Sequence, residues 1–316
     1  MTSLTQAEYR DRALAWHDLP VWFQPWWLDA TSAADAWDVT MARHGDSITA
    51  VLPYVRRRRF GFSILGQPPL TQSLGPWLVD QSGQRLSRQH DLLTSLAKAL
   101  PKSHVYQQNW MPELTNWLPF HWAGYCQSTR YTYRIDLCTS KESLWQRLES
   151  PCRRAVRKAK NRFRLTVEPS RDVHALWPLI AEVYARQGMQ VPYAKSLLER
   201  ILRAGTDNGA LTLHVASDAA GIAHAGAVII HDRLRSYYII GGVSEEHRNS
   251  GGMNLVLWKA ITEAHARGQR IFDFEGSMIE PIESFFRSFG AHQTPYFRVW
   301  KYHHPVLRPL RRLRGQ

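Results

Sequence analysis

The order of periodic segments in the second half of this 316-residue chain restricts its fold more than any other feature. FRLTVEP (163–169) reads as a strand. DVHALWPLIAEVYARQG follows as a helix with Val173, Leu176, Trp177, Ile180 and Tyr184 on one face, and YAKSLLERILRAG as a second helix stopping at Gly205. ALTLHVAS, AGAVIIH and RSYYIIGGV then read as three strands. Gly251 and Gly252 open the helix MNLVLWKAITEAHARG, which stops at Gly268. RIFDFEG reads as a strand, IESFFRSFG as a short helix and PYFRVWKY as a last strand. This succession predicts a mixed α/β (α+β) sheet with helices packed on it.

The first half is less regular. WDVTMARH and SITAVLPYV read as paired strands around His44, Gly45 and Asp46, while GQPPL and LGPW punctuate loops. Residues 87–100 carry Leu92, Leu93, Leu96 and Leu100 at helical spacing and stop at Pro101. YTYRIDL (131–137) reads as a strand near a boundary, and KESLWQRLES (141–150) as a helix opening the next domain. The length suits two domains, divided here as 1–138 and 139–316.

No stretch approaches the roughly 18 apolar residues of a membrane span. The N-terminal MTSLTQAEYRDRALAW lacks the basic start and apolar run of a secretory leader, so a cytoplasmic location is expected. Cys126, Cys138 and Cys152 form neither a Cys-x-x-Cys pair nor an even framework, so reduced, incidental thiols and no metal site are expected. The net charge of +13 attracts polyanions, whether tRNA, a nucleotide cofactor, a phosphorylated substrate or an anionic membrane face. That charge is concentrated in Arg56–Arg59, in RRAVRKAKNRFR (153–164) and in the tail with Arg308, Arg311, Arg312 and Arg314. A generally basic solvated surface also accounts for it.

Several of these segments together resemble the Fem-like (FemAB-like) branch of the GNAT acyltransferase superfamily. The residues that carry the resemblance are Arg153 to Ala159, Gly241-Gly242 and the helix from Gly252 to Gly268. More specific are Phe272-Asp273-Phe274-Glu275-Gly276-Ser277 and the following Ile282-Glu283-Ser284-Phe285-Phe286-Arg287-Ser288-Phe289-Gly290. The match covers about residues 130 to 303, and Pro25 to Asp29 with Arg59 to Pro76 resemble the family's first half more loosely. The resemblance implies tandem GNAT-like domains, a degenerate N-terminal one and a better preserved catalytic C-terminal one. It also implies transfer from acyl-CoA or aminoacyl-tRNA as co-substrate to a small-molecule or envelope-precursor acceptor. No heptad segment is present for the long helical hairpin of many tRNA-dependent members, which puts a cell-wall assignment in doubt.

Acyl transfer needs a presented nucleophile, a group that removes its proton and donors for the oxyanion. In GNAT folds two adjacent strands splay and their free amides bind the donor; here Tyr237–Ile240 and Ile271–Phe274 would do so, with Ile240, Gly241 and Gly242 at the donor. Arg248-Asn249-Ser250-Gly251-Gly252-Met253 resembles a degraded pyrophosphate loop, with Met253 replacing its second glycine; a plain turn before a helix fits equally. Asp273 and Glu275 alternate with Phe272 and Phe274, which predicts both carboxylates on one strand face, Glu275 being the favoured base. One of them could instead form a salt bridge that fixes the domain. Phe286 and Arg287 match the family's aromatic–basic pair, which implies that Arg287 steadies donor phosphate or oxyanion; a core aromatic beside a solvated arginine fits as well. Arg153, Arg154, Arg157 and Lys158 lie one turn apart on a helix and could grip phosphates or form a solvated face. His224 and His231 read as structural. A non-catalytic RNA- or membrane-surface-binding protein on a GNAT scaffold is the competing reading.

Overall fold

A computed structural model describes residues 4–32, 36–79 and 85–303; the tail arginines lie outside these. The chain forms two compact units, one containing residues up to Arg130 and from Pro295 onward, the other Tyr131–Thr294. The first contains α1 (Leu4–Ala13), a 3-10 turn (Val21–Phe23), α2 (Pro25–Thr31), β1 (Trp37–His44) and β2 (Ser47–Arg59). β3 (Phe62–Gly66), β4 (Trp77–Leu78), α3 (Leu86–Ala99), β5 (Val105–Asn109) and α4 (Leu118–Trp122) follow. β6 (Cys126–Asp136) leads into the second unit.

There the order is α5 (Lys141–Arg147), α6 (Ser150–Asn161), β7 (Thr166–Ser170), α7 (Val173–Arg186) and α8 (Lys195–Asp207). Then come β8 (Leu211–Ser217), β9 (Ala223–His231), β10 (Arg235–Val243), α9 (Gly252–Ala266), β11 (Ile271–Asp273) and α10 (Glu280–Arg287). β12 (His292–Tyr302) is the last strand. The succession expected from β7 to β12 is therefore present.

In the first unit β1 and β2 are antiparallel from Trp37↔Val55 to His44↔Ser47, turning at the left-handed Gly45. β2 pairs β3 antiparallel, β3 pairs β5 in parallel at Ile64 and Leu65, and β12 lies antiparallel to β5. Leu52, Leu65, Tyr106 and Val299 from one face of these strands bury against Leu92, Leu93 and Leu96 of α3 and Phe120 of α4. Past the short parallel pairing, side chains close the gap between β3 and β5. Gln67 Oε1 accepts from the Asn109 N–H at 2.6 Å, and Gln108 Nε2 donates to the carbonyls of Pro53 (2.8 Å) and Gly66 (3.1 Å).

The second unit orders its strands β6-β11-β10-β9-β8-β7. All neighbours are antiparallel except β10 and β11, as a crossover through α9 requires. α7 packs on β9 and β10; α9 packs on β8 and β9 with α6 against it. Its core joins Phe272, Phe274, Phe286 and Phe289 to Val256, Leu257, Ile261 and the small residues Ala225 and Ala227.

Four boundaries differ from expectation. The helix expected over 141–150 ends at Arg147, and a second helix starts at Ser150 with Pro151 in its first turn, where its missing N–H costs nothing. Gly205 lies inside α8 because a Cβ there would run into Leu211, while the left-handed Gly209 ends that segment. β11 stops at Asp273, short of Glu275. β12 leaves the second unit at Pro295 and pairs with β5 from Arg298 to Tyr302, with Val299 in the first unit's core. The compact units thus differ from a division into 1–138 and 139–316.

Candidate active site

β10 and β11 are paired only at Arg235↔Ile271, Ser236↔Phe272 and Tyr237↔Asp273. Beyond Tyr237 the two strands part, at the position expected for the splay. There β10 carries a bulge between Tyr238 and Ile240, which takes Ile239 out of the ladder with β9. Beyond the end of β11 at Asp273, Glu275 has φ +61° and Gly276 φ +70°. At Gly276 a Cβ would collide with the carbonyl of Tyr131 on β6, so glycine is needed for both its dihedral and this approach.

Asp273 produces this turn. Its Oδ1 accepts from the Glu275 N–H at 2.8 Å and from the Thr132 hydroxyl, and its Oδ2 pairs with Arg134 Nε at 2.6 Å. Thr132 and Arg134 stand two apart on β6 and so share a face. Asp273 is thereby committed to a nearly buried salt bridge, with Arg134 as partner and not the basic helix. The alternation argument fails for Glu275, because a left-handed residue no longer follows the strand period. Its carboxyl titrates well above the usual carboxylate range, first because burial penalises the charge and then because Asp273 repels it, with Arg134 opposing.

Three tyrosines gather near the parting strands. Burial and the neighbouring Tyr184 raise the Tyr238 hydroxyl above the usual phenol range; Tyr193, beside Tyr184 and Tyr238, is raised by burial. The Tyr193 oxygen is buried without a well-formed hydrogen bond. The missing side chain of Gly241 leaves room for the Tyr238 hydroxyl, which would stand 2.6 Å from a Cβ there. Ile240 is buried in the same strand. Gly242 has another reason: a Cβ on it would strike the backbone of α7 at Leu179 and Ile180.

The expected pyrophosphate loop forms a 3-10 turn, Arg248–Ser250, then a left-handed Gly251 and α9. Its helix start is covered by protein. Gly251 sits so close under α6 that a Cβ would meet the Ala155 carbonyl, Gly252 is buried against His224 and Ala225, and Ser250 Oγ accepts the Gly252 N–H at 3.1 Å. Arg248 is exposed and pairs with Glu245 at 3.4 Å.

The remaining expected residues separate. Phe286 is core, stacked on Phe274 at 4.9 Å and edge-on to Tyr238 at 5.8 Å. Arg287 is 52% exposed and held by Glu149 and Glu283, each at 3.0 Å. Arg153 turns back to the carbonyls of Gln146 and Leu148 at the end of α5. Arg154 and Arg157 are exposed, Arg157 over the Trp145 ring, and Lys158 lies over Phe163. His231 is bound between Ser236 (2.8 Å) and Thr212 (3.2 Å), and burial lowers its pKa to about 3; His224 stacks on His247. Among the described residues no cluster could hold a metal ion, and no helix is long and apolar enough to cross a membrane.

The second unit thus offers a parallel β10–β11 pair that opens beside a bulge and is followed by the carboxyl of Glu275. Residues 147–284 match the family profile described as an acetyltransferase (GNAT) domain, and the fold of the chain is that of tandem GNAT structures. The structure titled FemX is 16% identical with a TM-score of 0.69, covering 100% of this chain and 99% of that one. A structure titled L-PGS, from Bacillus licheniformis, is 11% identical (TM-score 0.57; 99% and 96% covered). A tandem GNAT protein from the clavulanic acid biosynthesis pathway is 13% identical (TM-score 0.53; 87% and 93% covered). At these identities the likeness is one of fold. No curated protein matches the chain in sequence.

Proposed function

We propose that this enzyme transfers an acyl or aminoacyl group to an amine or hydroxyl acceptor, with Glu275 as the base. The observation that carries the reading is Glu275 itself, a carboxyl of raised pKa held in a left-handed conformation where β10 and β11 part. A base poised above the ordinary carboxylate range accepts a proton near neutral pH more readily than a free glutamate does. Asp273, fixed by Thr132 and Arg134, positions it. The acceptor nitrogen or oxygen forms its bond to the donor carbonyl carbon while its proton passes to Glu275. N–H groups of β10 beyond Tyr237, no longer paired with β11, face the developing oxyanion. The bond to the leaving group then breaks, and Glu275 returns the proton to it.

The covered start of α9 supports a donor that is not anchored there by a pyrophosphate, since Ala155 fills the approach to Gly251. Aminoacyl-tRNA is therefore the favoured donor and acyl-CoA the alternative. Arg154 and Arg157, exposed on α6, supply cation for its backbone. Direct binding to purified protein across a salt series tests the donor. The expected result is a preference for charged over uncharged tRNA that weakens steeply with salt, and weak acetyl-CoA binding. Micromolar, salt-tolerant binding of acetyl-CoA would overturn the donor assignment.

A further inference from the structure

The β2–β3 hairpin ends in a two-residue loop, Phe60-Gly61, closed by the Arg59↔Phe62 pair. Both loop residues have positive φ, +49° and +79°. Such a turn favours Asn, Asp or Gly at its first position, and a bulky aromatic there opposes folding. Phe60 gains little in return from the protein: the residue is 85% exposed, with the Arg59 guanidinium over its ring at 5.3 Å. Behind it Arg56, Arg57, Arg58 and Arg59 are all exposed, and residues 56–62 include no acid. Arg57, Arg59, Phe60 and Phe62 border a cavity of about 480 Å³ that also reaches the amides of Gln107 and Asn109.

We propose that this hairpin is a membrane-docking element. Phe60 enters the boundary between headgroups and acyl chains of an anionic bilayer, and the arginines behind it bind phospholipid phosphates. A projecting aromatic on a convex tip with a cationic collar matches an interface that is apolar inside and anionic outside. Single-stranded RNA also pairs aromatics with arginines, but it is gripped in grooves lined by several stacking rings. The cavity carries three guanidinium groups, Arg57, Arg59 and Arg298, the last donating to Asn109 Oδ1 at 3.2 Å, and the Gln107 amide, a set suited to a phosphate ester. The inference does not depend on the identity of the acyl donor or of the base.

The test is co-sedimentation of the full-length protein with phosphatidylglycerol–phosphatidylcholine vesicles and with pure phosphatidylcholine vesicles. Wild type is expected to prefer the anionic vesicles. Phe60→Asn suits the positive-φ turn, so its Tm should equal or exceed that of wild type while its partition falls at least about fivefold. Arg58→Glu should lower partition by roughly fivefold or more. Leu14→Asn, at another exposed apolar residue, should leave it unchanged. Wild-type partition of Phe60→Asn, or equal binding to both vesicle types, overturns the proposal. So does capture of an RNA oligonucleotide, lost in Phe60→Asn, without vesicle binding.

Discussion

A carboxyl that is desolvated, set beside a second carboxylate and held at positive φ opposes folding in several ways at once. Glu275 has all three features, and the sign of their effect can be worked out. Its folded pKa is raised, so the protonated form stabilises the protein; that contribution is complete below the unfolded pKa and is lost as pH rises through the raised folded value. Glu275→Gln keeps the shape and removes the titration. It should match wild type in Tm near pH 4, exceed it by several degrees at pH 8, and lower turnover by about 10²- to 10⁴-fold. Calorimetry at the two pH values and a pH–rate profile check this, and wild-type turnover would remove Glu275 from the mechanism. Asp273→Asn acts in the opposite direction on stability, because Arg134 loses its buried partner; a cost of about 3–5 kcal/mol in urea unfolding is expected. With the neighbouring negative charge gone, the acid limb of the remaining activity should move to lower pH. The DFEG motif was visible in the sequence, but the residues that orient it were not. Thr132 and Arg134 lie 141 and 139 positions upstream of Asp273, and only the sheet brings them together. Their one local signal was a polar alternation within the strand YTYRIDL.

Elements whose apolar period matches a single packed face were legible one by one. α3, α7, α9 and the strands β8 to β10 appear where the spacing put them, β9 as a continuous apolar run because α7 and α9 both pack on it. Elements shaped by close backbone approach were not. Gly205 reads as a helix stop and is a contact with Leu211; Gly242, expected at the donor, is also the place where α7 meets β10. Tyr193, on the exposed connection between α7 and α8, has no periodic signal at all. If its poorly satisfied hydroxyl awaits substrate, Tyr193→Phe should raise KM several-fold with little change in Tm, since no good hydrogen bond is lost from the free protein. An unchanged KM would show a packing residue. The start of α9 gives an independent check on α6. Gly251→Ala must adopt φ +81° against the Ala155 carbonyl, so it should destabilise by more than about 1 kcal/mol. Full stability, measured by denaturant unfolding, would mean that α6 does not cover the helix start.

The molecule as a whole carries 40 lysines and arginines against 27 acidic residues. An excess of that size draws in polyanions over a Debye length but cannot tell one from another. Discrimination depends on which cations remain uncommitted. Arg153 is spent on the end of α5 and Arg287 on two glutamates, so neither is available to a phosphate without losing those partners. Arg154 and Arg157 project from α6 in the basic run of residues 153–164, and α6 packs against the start of α9. If charged tRNA is the donor, the double substitution Arg154→Ala, Arg157→Ala should weaken its binding and flatten the dependence of log K on log salt. The slope should fall by about 0.7–0.9 for each phosphate contact removed. The same substitution should leave the Tm within a few degrees of wild type, because both side chains are exposed. An unchanged slope would place the tRNA elsewhere on the basic surface, and an unchanged slope together with salt-tolerant acetyl-CoA binding would return the donor to coenzyme A.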